Sequence, residues 1–180
     1  MNTAIKNLEN DHVNILRLID VMEKMVFTKS EDLVNLEKAV SLIKSYADGF
    51  HHAKEETLFF PVMVKRGFSP GQGPIAVMLN EHVQGRNFVK GMSEGIDFCK
   101  KGNETGFAKI YENMHGYIVL LRNHISKENN VLFRMADNAL TENDHLELLK
   151  EFEKVENSSF CGGVLKDCIT EIETLEKIFN

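Results

Sequence analysis

The sequence is bounded first by what it has little of. No apolar run approaches the roughly 20 residues needed to span a bilayer. Residues 1–10 hold no continuous apolar core of the signal-peptide kind. The expectation is a cytoplasmic protein with no membrane partner. Positive charge is in deficit, with 21 Lys and Arg against 27 Asp and Glu and a net charge of −6. That argues against nucleic acid as a partner, which needs a basic surface. The three cysteines, Cys99, Cys161 and Cys168, are odd in number and lie outside any close zinc spacing. Cys161 and Cys168 would share a helical face two turns apart, too far for a bridge, so all three read as reduced thiols. Of three prolines, two fall with three glycines in residues 67–74, the clearest loop in the chain. Period-two alternation is missing over any useful length, which removes the signal for a sheet.

What is present is a repeated phrase. Residues 51–60 and 124–133 match at His51/His124, Lys54/Lys127, Glu55/Glu128 and Phe60/Phe133. Each copy carries a His and a Glu four residues apart, which on an α-helix lie within about 40° of one another on one face. Ahead of them, Asn-Asp-His12-Val and Asn-Glu-His82-Val also correspond. The offsets are 70 and 73 residues, so the chain reads as a duplicated helical hairpin whose copies differ slightly in loop length. One such unit cannot bury its own apolar face, whereas two packed together can.

Apolar residues at three-to-four spacing predict helices over about 3–27, 31–66, 74–100 and 104–139. The first carries Ile5, Leu8, Ile15, Ile19 and Met22 inward, and the last Tyr117, Leu121, Val131, Leu132 and Met135. Thr141 with Asp144 signals the cap of a fifth helix to about 156. Cys161-Gly162-Gly163 marks a break, and 164–178 is a last amphipathic stretch with Leu165, Cys168, Ile172 and Leu175. The fold class expected is all-α: an up-down four-helix bundle over residues 1–140, with residues 141–180 a C-terminal helical extension packed on it.

Helix two offers two overlapping pairs, His51–Glu55 and His52–Glu56. Stepping back from His51 meets Ala47, Ile43, Val40 and Leu36, whereas stepping back from His52 meets Asp48, Ser45 and Ser41. The apolar stripe leads to His51, so His51–Glu55 points inward and His52 is expected on the rim, about 100° away and solvated. His124–Glu128, His12 and His82 sit in apolar stripes of their own. A lone His on such a face is ordinarily a satisfied core residue. Four His and two Glu at one level are costly to bury without mutual compensation, which points to metal. His115 and His145 fall outside the set. The ferritin-like alternative, Glu-x-x-His at Glu9–His12 and Glu142–His145, fails in the repeat because Leu79 stands opposite Glu9.

Imidazole with carboxylate suits iron, manganese or zinc, and two bridging carboxylates suit a metal pair. With two irons, each takes two His, one oxygen from each Glu and one oxo or hydroxo bridge. One position per metal then stays open to a small diatomic or peroxide ligand. Glu56, His52 and Tyr117 are possible outer partners, Tyr117 being two turns before His124.

These motifs, with Pro61 after the first and Asn129-Asn130 in the second, resemble the hemerythrin-like, or HHE cation-binding, family over about residues 4–140. Gly73-Pro-Ile-Ala-Val-Met-Leu-Asn-Glu-His82 is similar to its repair-of-iron-centres branch, without the N-terminal cysteine-bearing domain usual there. The resemblance implies two Fe held by His12, His51, Glu55, His82, His124 and Glu128, both Glu bridging. It also implies chemistry with NO, O2 or peroxide in nitrosative or oxidative stress, or iron–sulfur cluster repair. Oxygen carriers of this fold use five His, two of them four apart on the third helix; here Arg86 follows His82 at that spacing, so the site is expected to be more open. A di-iron oxidoreductase drawing on an electron donor, an O2 or NO carrier or sensor, and an iron storage or delivery protein, as monomer or dimer, are the function classes left standing.

Overall fold

The computed structural model describes residues 3–157 and 164–179, and among them it is helical, with no strand. Helix α1, Ala4–Thr28, starts where the Thr3 hydroxyl accepts a hydrogen bond from the Lys6 amide, and ends at Lys29 in the left-handed region (φ 49°). Helix α2 runs through residues 33–65 from the Asp32 cap. Helix α3, Gly73–Lys100, opens with Pro74 in its first turn, and α4 covers residues 105–139. Helix α5, Glu142–Asn157, begins with the capping pair expected: the Thr141 amide donates to Asp144 at 2.7 Å, and the Asp144 amide to the Thr141 hydroxyl at 3.2 Å. Helix α6 is Val164–Ile178. The expected break at Cys161-Gly162-Gly163 and the side chain of Leu165 lie outside the described residues.

Two apolar clusters fill the bundle, one above the other. The first holds Ile15, Ile19, Met22, Leu36, Ile43, Met92, Ile110 and Leu121, and α6 adds Cys168, Ile172 and Leu175 to it. The second holds Ile5, Leu8, Phe59, Phe60, Met78, Leu132 and Phe133, and α5 adds Leu148 and Phe152. His12 falls between Leu8 and Ile15, and His124 between Leu121 and Leu132, so the buried polar residues form a belt between two dry layers. Helices α3 and α4 approach so closely that a Cβ on Gly106 would sit 2.3 Å from the Gly95 carbonyl oxygen, so only glycine fits there.

The register of α2 and α4 departs from expectation. Both were read as plain α-helices. Instead Ile43–His52 and Glu55–Phe59 in α2, and Glu128–Leu132 in α4, are π-helical. The Phe60 amide bonds the Glu55 carbonyl and the Phe133 amide the Glu128 carbonyl, each five residues back, at the same point of both copies. An i→i+5 ladder admits one extra residue per turn, and such bulges recur at functional sites. The extra residue carries Phe133, Ala136 and Leu140 inward and leaves Val131 (50% exposed) and Met135 (39%) outside, correcting their inward assignment.

Candidate metal centre

The six expected residues converge. His12 on α1, His51 and Glu55 on α2, His82 on α3, and His124 and Glu128 on α4 are all at most 2% exposed. They form two facing imidazole pairs. His12 and His51 Nε2 are 2.9 Å apart, with ring centroids at 4.6 Å and planes at 65°. His82 and His124 Nε2 are 3.1 Å apart, with centroids at 4.8 Å and planes at 63°. Two nitrogens bound to one ion at about 2.1 Å, roughly at right angles, lie about 3 Å apart, so each pair has the spacing of two ligands on one metal.

The carboxylates lie between the pairs. Glu128 Oε2 is 3.2 Å from His12 Nε2 and 3.4 Å from His124 Nε2. Glu55 Oε2 is 3.7 Å from His51 Nε2 and 3.5 Å from His82 Nε2. Each Glu therefore reaches one histidine of either pair. All four carboxylate oxygens are buried with no hydrogen-bond partner among the described residues. An orphaned buried carboxylate is expensive unless a cation compensates it, and these residues fit a pair of metal ions. Two overlapping groups of ligand atoms form, His12, His51, Glu55, Glu128 and His52, Glu55, His82, His124, each within 4.8 Å.

Outside the ligand atoms, every facing imidazole has its Nδ1 on a side-chain oxygen: His12 on Asn129 at 2.8 Å, His51 on Asp11 at 3.2 Å, His82 on Glu56 at 2.7 Å and His124 on Glu81 at 3.0 Å. Such partners orient a metal-binding imidazole and fix its tautomer. Asp11 also takes Lys54 Nζ at 2.6 Å, and Glu81 takes Lys127. Burial holds the His51 pKa well below its ordinary value. On His82 burial also opposes the proton, but Glu55 and Glu56 outweigh it and push the pKa up to about 9. Glu128 is held below its usual range despite burial, by His124 and His12.

A family model, the hemerythrin HHE cation binding domain, matches residues 3–136. The chain belongs to that family. Iron-sulfur cluster repair protein YtfE of Escherichia coli O157:H7 is 36% identical over 89 residues, 48% of this chain and 40% of that protein. The YtfE proteins of Escherichia coli strain K12 / DH10B and Shigella boydii serotype 18 match to the same extent. The match thus spans about two fifths of the length of these relatives. No solved structure matches.

In this HHE domain the expected rim position of His52 is wrong. His52 is 4% exposed, its ring stacks on His82 at 3.8 Å, and burial lowers its pKa to about 3. The π ladder of Ile43–His52 is the reason: it turns less per residue than an α-helix, so neighbouring His51 and His52 both face inward. Glu56 does lie beside the centre, bonding His82 and, at 2.7 Å, Arg86. Tyr117 is buried and, with His52, His82, Asp48, Arg86 and Val89, lines a pocket of about 310 Å³. The ferritin-like alternative falls: Glu9 pairs outward with Arg134 and Lys6, and Glu142 is exposed. Asp11, Glu81, Lys54, Lys127, Asn129 and Asp48 surround the centre beyond the expected residues. The repeat held the signal for four of them, since Lys54 matches Lys127 and an acid precedes each lone His.

Proposed function

We propose that this HHE domain holds two iron ions, one between His12 and His51 and one between His82 and His124, with Glu55 and Glu128 bridging them. The observation that carries this reading is the pair of unpartnered buried carboxylates, each set between histidines of both pairs. A bound iron pair supplies redox-active Lewis acids able to take up NO, O2 or peroxide. The chain's own residues do the rest. The four imidazoles hold the ions, their Nδ1 partners keep the lone pairs aimed inward, and the two apolar layers exclude bulk water. Helices α1–α4 carry the centre, and α5 and α6 form a packed extension, α5 reaching the centre through Glu156, which bonds Asn7 and Lys54.

The physiological role that fits is protection against nitrosative or oxidative stress, or repair of damaged iron–sulfur clusters, as the relatives' name suggests for them. The experiment is anaerobic titration with Fe(II), followed by O2 and then NO, with optical spectroscopy and metal quantitation. Two irons per chain, oxidised irreversibly or consuming NO while reductant lasts, are expected. A spectrum restored by degassing points instead to a carrier, and fewer than two tightly held irons overturns the reading.

A further inference from the structure

His52 has a counterpart in neither the first half of the centre nor the repeat, where buried Ile125 stands in its place. It nonetheless has an acidic neighbour, as His51, His82 and His124 do. Its Nδ1 is 3.4 Å from Asp48 Oδ1, close without a hydrogen bond, and Arg86 holds that oxygen at 2.8 Å. Of the two remaining histidines, His115 is exposed and His145 is half-buried. A carboxylate at Nδ1 favours the tautomer whose lone pair is on Nε2. Both ring nitrogens of His52 are buried without a hydrogen-bond partner among the described residues. The ligand atoms of His52, Glu55, His82 and His124 lie within 4.8 Å of one another.

Ring geometry separates His52 from the facing pairs. Its plane lies 16° from that of His82 with centroids at 3.8 Å, against 4.6 and 4.8 Å in the facing pairs. A ring shift of about 1 Å brings it to the spacing of two imidazoles on one ion, and the pocket beside it leaves room for that shift.

We propose that His52 is a third imidazole ligand of the second metal ion, binding through Nε2 on the side that faces the pocket; this rests on the two-metal reading above. The second ion then has three imidazoles and the first has two. His52 would then occupy the position of the second ion that faces the pocket, while the first would keep its open position.

The test uses the full chain loaded with Co(II), wild type beside His52→Phe, which keeps a ring against His82 but offers no lone pair. Proton NMR in water counts the hyperfine-shifted exchangeable N–H signals, one for each bound imidazole. Five are expected in the wild type and four in the variant. Azide, followed optically, should bind at one position per chain in the wild type and at two in the variant, where the second ion lacks its third imidazole. His52→Gln, closer in polarity, serves if the Phe variant fails to fold, with the same expectation for the N–H count. A wild type that binds two Co(II) with four such signals, or an azide stoichiometry unchanged in the variants, overturns the proposal alone. A wild type that binds no metal pair overturns the two-metal reading as well.

Discussion

The two halves of the centre repeat one another almost contact for contact. His12 faces His51 as His82 faces His124, and Phe133 stacks on His12 at 5.5 Å as Phe60 does on His82 at 6.1 Å. Lys54, Asp11 and His51 form a chain that Lys127, Glu81 and His124 copy. The halves part at three places. Lys54 is fully buried, bonded to Asn7 and Glu156 and lying over the Phe50 ring, whereas the Lys127 side chain is 41% exposed. The outer partner of His12 is the neutral Asn129, but that of His82 is Glu56. His52 stacks on the second half, and a pocket opens beside it there. A duplicated hairpin thus builds two like histidine pairs, and single substitutions around them make the halves unequal in charge, burial and access.

The strongest way to break the comparison is to remove what the halves share. Glu55→Ala or Glu128→Ala should cost both halves their metal at once. The loss in affinity should exceed the roughly ten- to hundredfold that outer partners contribute, measured by competition with a chelator. If one ion stays tightly bound, the carboxylate belongs to a single half.

Next are the two lysines. Lys54→Met leaves Asp11 buried without its cation, at a cost of about 3–5 kcal/mol. Lys127→Met, at an exposed pair, should cost no more than about 1 kcal/mol. Urea unfolding of the metal-free proteins checks the ratio, and equal losses would mean that burial does not distinguish the two copies.

A smaller effect is expected where the halves differ in outer partner. Glu56→Gln makes the second half resemble the first, and Asn129→Asp does the converse. Each should move the affinity of its own half by about tenfold, downward for Glu56→Gln and upward for Asn129→Asp, while leaving the other ion alone. Stepwise metal titration separates the two ions.

The smallest effect belongs to neither half. Arg66 and the Thr141 amide hold the Asp144 carboxyl below its ordinary value of 3.8. A depressed folded pKa gives stability that is present above the unfolded value and lost as pH falls through the folded one. Asp144→Ala removes a cap of about 1 kcal/mol, a few degrees in Tm, at neutral pH. The variant should lose no further stability at this position below about pH 4, where the wild type does. Neither metal should respond, as thermal melts across pH and metal quantitation together would verify.

Much of this arrangement was legible in the chain. The inward stripes of α1 and α3, the loop at 67–74, the Thr141 cap and all six residues at the core of the centre follow from period 3.6 and the internal repeat. The errors at His52, Val131 and Met135 share one origin, because each lies in or just after a π-helical segment. A period of 3.6 holds only for an i→i+4 ladder, and an extra residue per turn rotates everything beyond it. Asp48 has no such signal in the chain: a polar residue beside a stripe shows its partner only once a second helix is packed against it.

The sequence by itself determined the four helices, the duplication and the histidines and glutamates that meet in the core, because an apolar stripe and a repeat are properties of the chain alone. Only the tertiary structure decided that His12 pairs with His51 and His82 with His124, that each glutamate spans both pairs, that Lys54 is buried while Lys127 is not, and that His52 turns inward. Those outcomes depend on which helices touch and on a backbone ladder stabilised by packing, and no residue spacing encodes either.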